Sequence, residues 1–213
     1  MIRVVLFDLD GVIRHFDPGH AAAIEQRHGL EVGTLESIAF AKPLIDDVTT
    51  GRISRAEWLR QVGDTVGSAA AVGEWGTQPT VVDDGVLELS DELRGLGLRT
   101  AVLTNGTDTI PAEIASMGIG ERFDAFFNSA EIGFVKPDVR AFRHVLDALA
   151  VGAEEVFFTD DAASKLVGAD SLSMRTHHFA GVDGLREHLR RTGVDVAAPD
   201  SGSIRETGRR PGR

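Results

Sequence analysis

IRVVLFDLDGVI, residues Ile2 to Ile13, decides how the rest of the chain is read. Val4, Val5, Leu6 and Phe7 form an unbroken apolar run rich in β-branched residues, the pattern of a strand buried on both faces. The run ends on Asp8, Leu9 and Asp10, and Gly11 then lets the chain turn. In open parallel α/β sheets ligands bind at the carboxyl ends of strands, which is where these two acids fall. A merely solvated, acidic strand end is the plain alternative, and the rest of the sequence weighs against it.

From about Arg14 to Val81 the pattern changes. No buried strand is evident, and helical spacing runs through His20–His28, Leu35–Ala41, Ser54–Val66 and Ala69–Trp75. Ser54 followed by Glu57 reads as a capping box opening the third of these. Beyond Asp83 strands and helices alternate. Helices are expected over Val86–Leu96, Ile110–Met117, Val139–Leu149, Ser164–Asp170 and Val182–Arg191, and strands over Thr100–Leu103, Phe123–Asn128, Val156–Phe158 and Arg175–Phe179. That rhythm predicts an α/β fold with a parallel sheet and right-handed crossovers. The expected organisation is an α/β core of residues 1–13 and 82–196, a helical insertion of residues 14–81 and a disordered Gly/Pro/Ser/Arg-rich tail of residues 197–213.

The totals narrow the function. At 213 residues and 42% hydrophobic the chain has enough apolar material for a substantial core. A net charge of −11 argues against general binding to nucleic acid or to an anionic membrane. It leaves room for an anionic substrate, because a bound cation inverts the charge of a local site. The absence of Cys excludes disulfides, thiolate metal sites and cysteine nucleophiles. With no apolar stretch long enough for a membrane span and no signal-like start, a soluble cytoplasmic protein is expected. Oligomeric state is left open. Neither GxGxxG nor GxxxxGK[ST] occurs, so dinucleotide-binding and Walker-type sites lack support.

Four positions along the chain carry polar groups beside strand ends: Asp8 and Asp10, Thr104 and Asn105, Lys136, and Asp160 with Asp161. Parallel strands set their ends along one sheet edge, so these groups can meet. Taken singly, each has an ordinary structural role as a helix cap or surface charge; together they suggest a site. Asp8, Asp10 and one of the later pair would repel unless a cation sat among them, and all-oxygen ligands suit Mg²⁺. A hydroxyl, an amide and an ammonium suit the oxygens of a phosphoryl group in transfer. A carboxylate can serve as nucleophile, and a second acid two residues on can work as general acid/base.

The motifs FDLDGV (Phe7–Val12), VLTNG (Val102–Gly106), GFVKPD (Gly133–Asp138) and FFTDDAASKLVGA (Phe157–Ala169) resemble, in that order, those of the haloacid dehalogenase-like hydrolases. The stretch GRISRAEWL (Gly51–Leu59) is similar to the small helical cap of the subgroup holding sugar-phosphate phosphatases and the phosphatase domain of epoxide hydrolases. The resemblance implies a Rossmann-like, doubly wound sheet with a small α-helical cap. It implies a Mg²⁺-dependent phosphatase acting on a small phosphorylated metabolite through an aspartyl-phosphate. Asp8 would be nucleophile and metal ligand, and Asp10 general acid/base with its main-chain carbonyl facing the metal. Thr104 and Asn105 would hold phosphate, and Lys136 would stabilise negative charge. Asp161 would bind Mg²⁺, with Asp160 as a further ligand or as the residue that orients one.

Asp10 separates the chain from true dehalogenases of that family, which lack the second acid. One departure stands out: four residues after Asp161, where members often carry Asp or Asn, stands Lys165. A cation there puts metal affinity in question. A phosphomutase of the same fold and a non-catalytic binding or regulatory module are the alternatives. His15, Phe16, Lys42, Trp58 and Trp75 are the candidates in the insertion to line the substrate space, with packing the more ordinary role for Trp58 at helical spacing with Ile53 and Val62.

Overall fold

The computed structural model describes residues 1–198. The chain leaves β1 (Val4–Phe7) through a turn into β2 (Arg14–Phe16) and then forms α1 (His20–Arg27), α2 (Thr34–Ala39), α3 (Leu44–Thr49), α4 (Arg55–Val66) and α5 (Ala69–Trp75). β3 (Thr80–Val82) returns antiparallel to β2, and the chain re-enters the α/β rhythm. There follow α6 (Asp84–Gly95), β4 (Arg99–Thr104), α7 (Ile110–Met117), β5 (Ala125–Asn128) and α8 (Ser129–Ile132). The last elements are α9 (Val139–Leu149), β6 (Val156–Asp160), α10 (Ala163–Ser171), β7 (Arg175–His178) and α11 (Val182–Arg191).

Five of the strands form one parallel sheet in the order β5-β4-β1-β6-β7. β1 is its centre, and the chain builds outward on one side before crossing to the other. This is the doubly wound, Rossmann-like arrangement, and its switch point lies beside β1. Alternation along β1 divides the core. Val5 and Phe7 pack with Val86, Leu89 and Leu93 of α6 and Leu185 and Leu189 of α11. Val4 and Leu6 face the other layer, with Phe142 and Val145 of α9 and Leu166 and Ala169 of α10. The all-apolar run at the start of the chain is thus the signature of a strand with helices on both faces.

The helices α1–α5 bury their own apolar cluster, which includes Ile24, Leu35, Val48, Trp58, Val62 and Trp75. The Ser54 hydroxyl accepts from the Glu57 N–H at 3.1 Å and caps α4, while the Glu57 carboxylate binds Arg60 and Gln61 instead of closing the expected capping box. Direct bonds tie this layer to the sheet side: Ser129 Oγ donates to the Thr49 carbonyl at 2.6 Å, and the Arg55 N–H donates to Asp108 at 2.7 Å. Four elements lie outside the sequence-based expectations. β2 and β3 are three residues each and only partly buried, so they carry no apolar run. α3 and α8 are too short to show a helical period. Of the tail expected to be disordered, residues 199–213 lie outside the described residues.

At the β7 edge, His177 Nδ1 and His188 Nδ1 are 3.0 Å apart, and both rings lie against Phe157. Burial, together with His188 and His178 nearby, pushes the His177 pKa down to about 4, and burial lowers that of His188 as well. A histidine with a depressed native pKa favours folding above its unfolded value near 6.5, and that contribution fades as pH falls toward 4. Because His177 is partly solvent-accessible, the loss is on the order of 1 kcal/mol. Thermal melts should therefore drop by roughly 2–4 °C between pH 7 and 5 from this pair, and His177→Phe should flatten that slope. An unchanged slope in the variant would show that the pair does not sense acid.

Candidate active site

Strand register assembles the site. Phe7 pairs with Thr159 on one side and with Val102 on the other, so Asp8 emerges level with Asp160, and Thr104 extends past the end of β1 on the opposite flank. Asp8 continues the ladder, its N–H donating to the Thr159 carbonyl at 2.9 Å. Between the carboxylates stands Lys136, 1% exposed, its Nζ 2.6 Å from Asp8 Oδ1 and 2.7 Å from Asp160 Oδ2. The Leu9 N–H also reaches Asp8 Oδ1, at 2.7 Å, so both donors fall on the same oxygen and Oδ2 takes neither.

Electrostatics follow from this crowding. Burial raises the Asp8 pKa, Lys136 opposes it and Asp160 adds to it, leaving the carboxyl near 7. Asp161 is shifted upward too, by burial and then by Asp160 and Asp10, with Lys136 opposing. Carboxylate oxygens of Asp8, Asp160 and Asp161 lie within 4.8 Å of one another. Such an all-oxygen cluster, with two of its acids destabilised as anions, fits a hard divalent cation. Gly11 makes the cluster possible. Its φ is +84°, and a Cβ built there would overlap the Asp161 carboxylate.

The Lys136 loop is clamped from two sides. The Asn105 amide forms a double bond pair with the Lys136 main chain: its Nδ2 donates to the carbonyl at 2.9 Å, and its Oδ1 accepts the N–H at 2.7 Å. Both amide atoms, which the sequence suggested for phosphate, are thus engaged in holding Lys136. Lys165 Nζ donates to the same Lys136 carbonyl at 3.3 Å. The lysine that departs from the family pattern therefore turns toward the main chain of the loop. Behind the loop, a Cβ on Gly168 of α10 would collide with the Pro137 carbonyl, so only glycine lets that helix lie so close. Asp160 is fixed at its other oxygen by the Ala162 N–H, at 2.9 Å.

Asp10 stands apart from the metal-like cluster. The Leu9 carbonyl accepts from both the Ile13 and Arg14 N–H groups, folding the chain back so that Arg14 meets Asp10. Arg14 Nε bonds Asp10 Oδ1, and Arg14 Nη1 bonds Glu113 Oε2 at 2.6 Å. The Thr109 hydroxyl donates to the other Glu113 oxygen at 2.5 Å. Arg14 and Glu113 are the site-adjacent residues that sequence reading missed. Arg14 had a signal, a lone cation four residues past Asp10 across a glycine turn; Glu113 had none, because only the fold brings α7 there. Asp10, Asn105 and Gly106 face a cavity of about 750 Å³ that runs beneath α1–α5. Phe16, Trp58 and Trp75 line it, as expected. His15 instead approaches Asp83 and Lys42 approaches Asp46, so neither is among the lining residues.

Over residues 2–169 the sequence matches the haloacid dehalogenase-like hydrolase family. The chain belongs to that family. Among similar proteins is a phosphatase of Mycobacterium tuberculosis (strain CDC 1551 / Oshkosh), MT3486, 28% identical over 200 residues that cover 83% of this chain and 86% of the relative. Bifunctional epoxide hydrolase 2 of Sus scrofa is 27% identical over 92% of this chain, which spans only 40% of that protein's length. A haloacid dehalogenase-family enzyme of Bacteroides thetaiotaomicron, solved with magnesium and inorganic phosphate, shares the fold with a TM-score of 0.70 and 21% identity, over 83% of this chain and 93% of that one. This haloacid dehalogenase-like hydrolase therefore has phosphatases among its relatives. None of its described helices is long and apolar enough to cross a membrane.

If Asn105 holds Lys136 in place, Asn105→Ala removes both bonds to that main chain. The expected cost is about 1–3 kcal/mol, read as a lower urea midpoint. A midpoint equal to that of the parent would show that the clamp carries no energy.

Proposed function

We propose that the chain is a Mg²⁺-dependent phosphomonoesterase that hydrolyses a phosphorylated metabolite through a phospho-Asp8 intermediate. The observation that carries this reading is the Asp8 carboxylate at the carboxyl end of the central strand. It shares a buried lysine with Asp160 and lies within 4.8 Å of two other acids, with Oδ2 left clear of both donors. Asp8 and Asp161, with the main-chain carbonyl of Asp10, would hold Mg²⁺, and Asp160 would orient the set through Lys136. Bound there, the ion supplies neutralising charge for the phosphate oxygens and for the acids themselves.

The residues then divide the work. Asp8 Oδ2 attacks phosphorus in line with the ester oxygen, forming a P–O bond to the carboxylate as the bond to the alcohol breaks. Asp10, exposed to the cavity, delivers a proton to the departing alkoxide. It then takes a proton from the water that hydrolyses the acyl phosphate, returning Asp8 as a carboxylate and releasing inorganic phosphate. Arg14 holds the Asp10 carboxylate at the cavity floor. Lys136 places positive charge beside the attacking carboxylate and the incoming oxygens, and the Thr104 hydroxyl and Asn105 main-chain N–H complete the phosphate cradle. The helices α1–α5 act as a cap, excluding water from the site and choosing the substrate.

Two measurements test this reading. Asp8→Asn should lower kcat on an aryl phosphate by at least about 10³-fold with the fold retained, since no other group replaces the nucleophile. Full turnover in the variant would remove Asp8 from the chemistry. Chelation should likewise abolish turnover of the parent and Mg²⁺ restore it; activity that persists in chelator would refute the metal requirement.

A further inference from the structure

The cavity above Asp10 and Asn105 has a wall whose chemistry restricts the substrate. In the lining of the same cavity, Phe40, Trp58 and Trp75 form an aromatic cluster with ring centroids 5.5–6.4 Å apart, in which the two tryptophans are largely buried and Phe40 presents most of the open ring surface. The Trp58 indole N–H is already bonded to the Ala39 carbonyl at 3.0 Å, so that donor is not offered to a ligand. Phe40 is 53% exposed, an unusual fraction for so large an apolar ring, and it faces this space. Ile45 and Val48 extend the apolar surface.

The charges lining the cavity are mostly of one sign. Asp10, Asp17, Glu36 and Glu113 are set against Arg14 and Arg55. Arg14 is paired with Asp10 and Glu113, whereas Arg55 donates to the Gly76 carbonyl and carries its charge without an ion pair among the described residues. A substrate carrying a second phosphate or a carboxylate would therefore meet four acids against two guanidiniums, one of which, Arg14, is already paired. A neutral, apolar group would instead displace water from aromatic surface. Volume agrees, because about 750 Å³ exceeds what a two- or three-carbon alcohol fills and is of the size that encloses a drug-sized ligand.

We infer that this cavity receives the alcohol portion of the substrate and selects phosphate monoesters of bulky, uncharged, apolar alcohols over esters bearing a second anion. The inference rests on the proposed phosphate site at Asp8, which Asp10 and Asn105, both lining the cavity, would join to this space.

Trp58 and Trp75 are the only tryptophans in the chain and both line the cavity, so intrinsic fluorescence reports its occupancy directly. The full chain with Mg²⁺ is titrated with linear alkylphosphonates from butyl to decyl, and with 3-phosphonopropionate. Emission should change saturably with the alkyl series, Kd falling about two- to fourfold per added methylene until the cavity fills. Decylphosphonate should bind at least thirtyfold tighter than 3-phosphonopropionate. Phe40→Ser, at an exposed ring, should weaken decylphosphonate about tenfold and leave butylphosphonate unchanged, which separates cavity binding from nonspecific adsorption. A Kd independent of chain length, an equal or tighter Kd for 3-phosphonopropionate, or an unaltered Phe40→Ser series would overturn the inference. The same series run on Asp8→Asn keeps the two proposals apart: loss of turnover tests the nucleophile, whereas the chain-length dependence is read from binding alone and needs no chemistry.

Discussion

One ammonium between two buried carboxylates is the constraint on which the rest of the site depends. Lys136 Nζ lies 2.6 Å from Asp8 and 2.7 Å from Asp160, with almost no solvent access to the lysine or to Asp160. Burying three charges is costly unless each is paired, and removing one partner from such a group typically costs about 3–5 kcal/mol. Burial raises the Asp8 pKa against the pull of Lys136, and two acids for one base add to it through Asp160. A divalent cation drawn by Asp8 and Asp161 would cancel that excess of acid over base. Under the proposed function, the crowding of these acids and the place for a cation among them have the same origin.

Much of the scaffold serves to place that lysine. It arrives on a loop after β5, far in sequence from both acids. The loop's position is set by the Asn105 amide on one side and by the close approach of α10 at Gly168 on the other. Lys165 adds a third contact, to the carbonyl of Lys136. A cation at that position thus has a local structural use, and it does not insert between the acids. On the opposite flank the turn at Gly11 gives Asp161 room and sends the chain back so that Arg14 grips Asp10. In the proposed mechanism this holds the proton-transferring acid, Asp10, outside the cluster that contains the attacking acid, Asp8.

Most of the sheet was legible because β1, β4, β5 and β6 are built on short apolar runs that stop at polar or charged residues. Val4–Phe7 is the clearest case, and the matching bounds of Ile110–Met117, Val139–Leu149 and Val182–Arg191 show how well amphipathic period marks a helix laid on a sheet. Where burial is partial the signal disappears: β2 and β3 alternate too briefly, and α3 is a single turn and a half. The grouping of Asp8, Asp160, Asp161 and Lys136 followed from topology alone, since parallel strands share one carboxyl edge. What the sequence could not convey was the use of each atom. Asn105 was read as a phosphate ligand, yet its amide is occupied by Lys136. Glu113 gave no sign of its tie to Arg14, because that contact spans 99 residues and depends on how α7 packs.

The most direct measurement is to quench the reaction with acid during turnover of a ³²P-labelled phosphate ester and map the label. With phospho-Asp8 as the intermediate, acid-stable radioactivity is expected on the peptide containing Asp8, sensitive to hydroxylamine as an acyl phosphate and absent without Mg²⁺. Turnover with no labelled protein at any time, or label carried by a different residue, would contradict it.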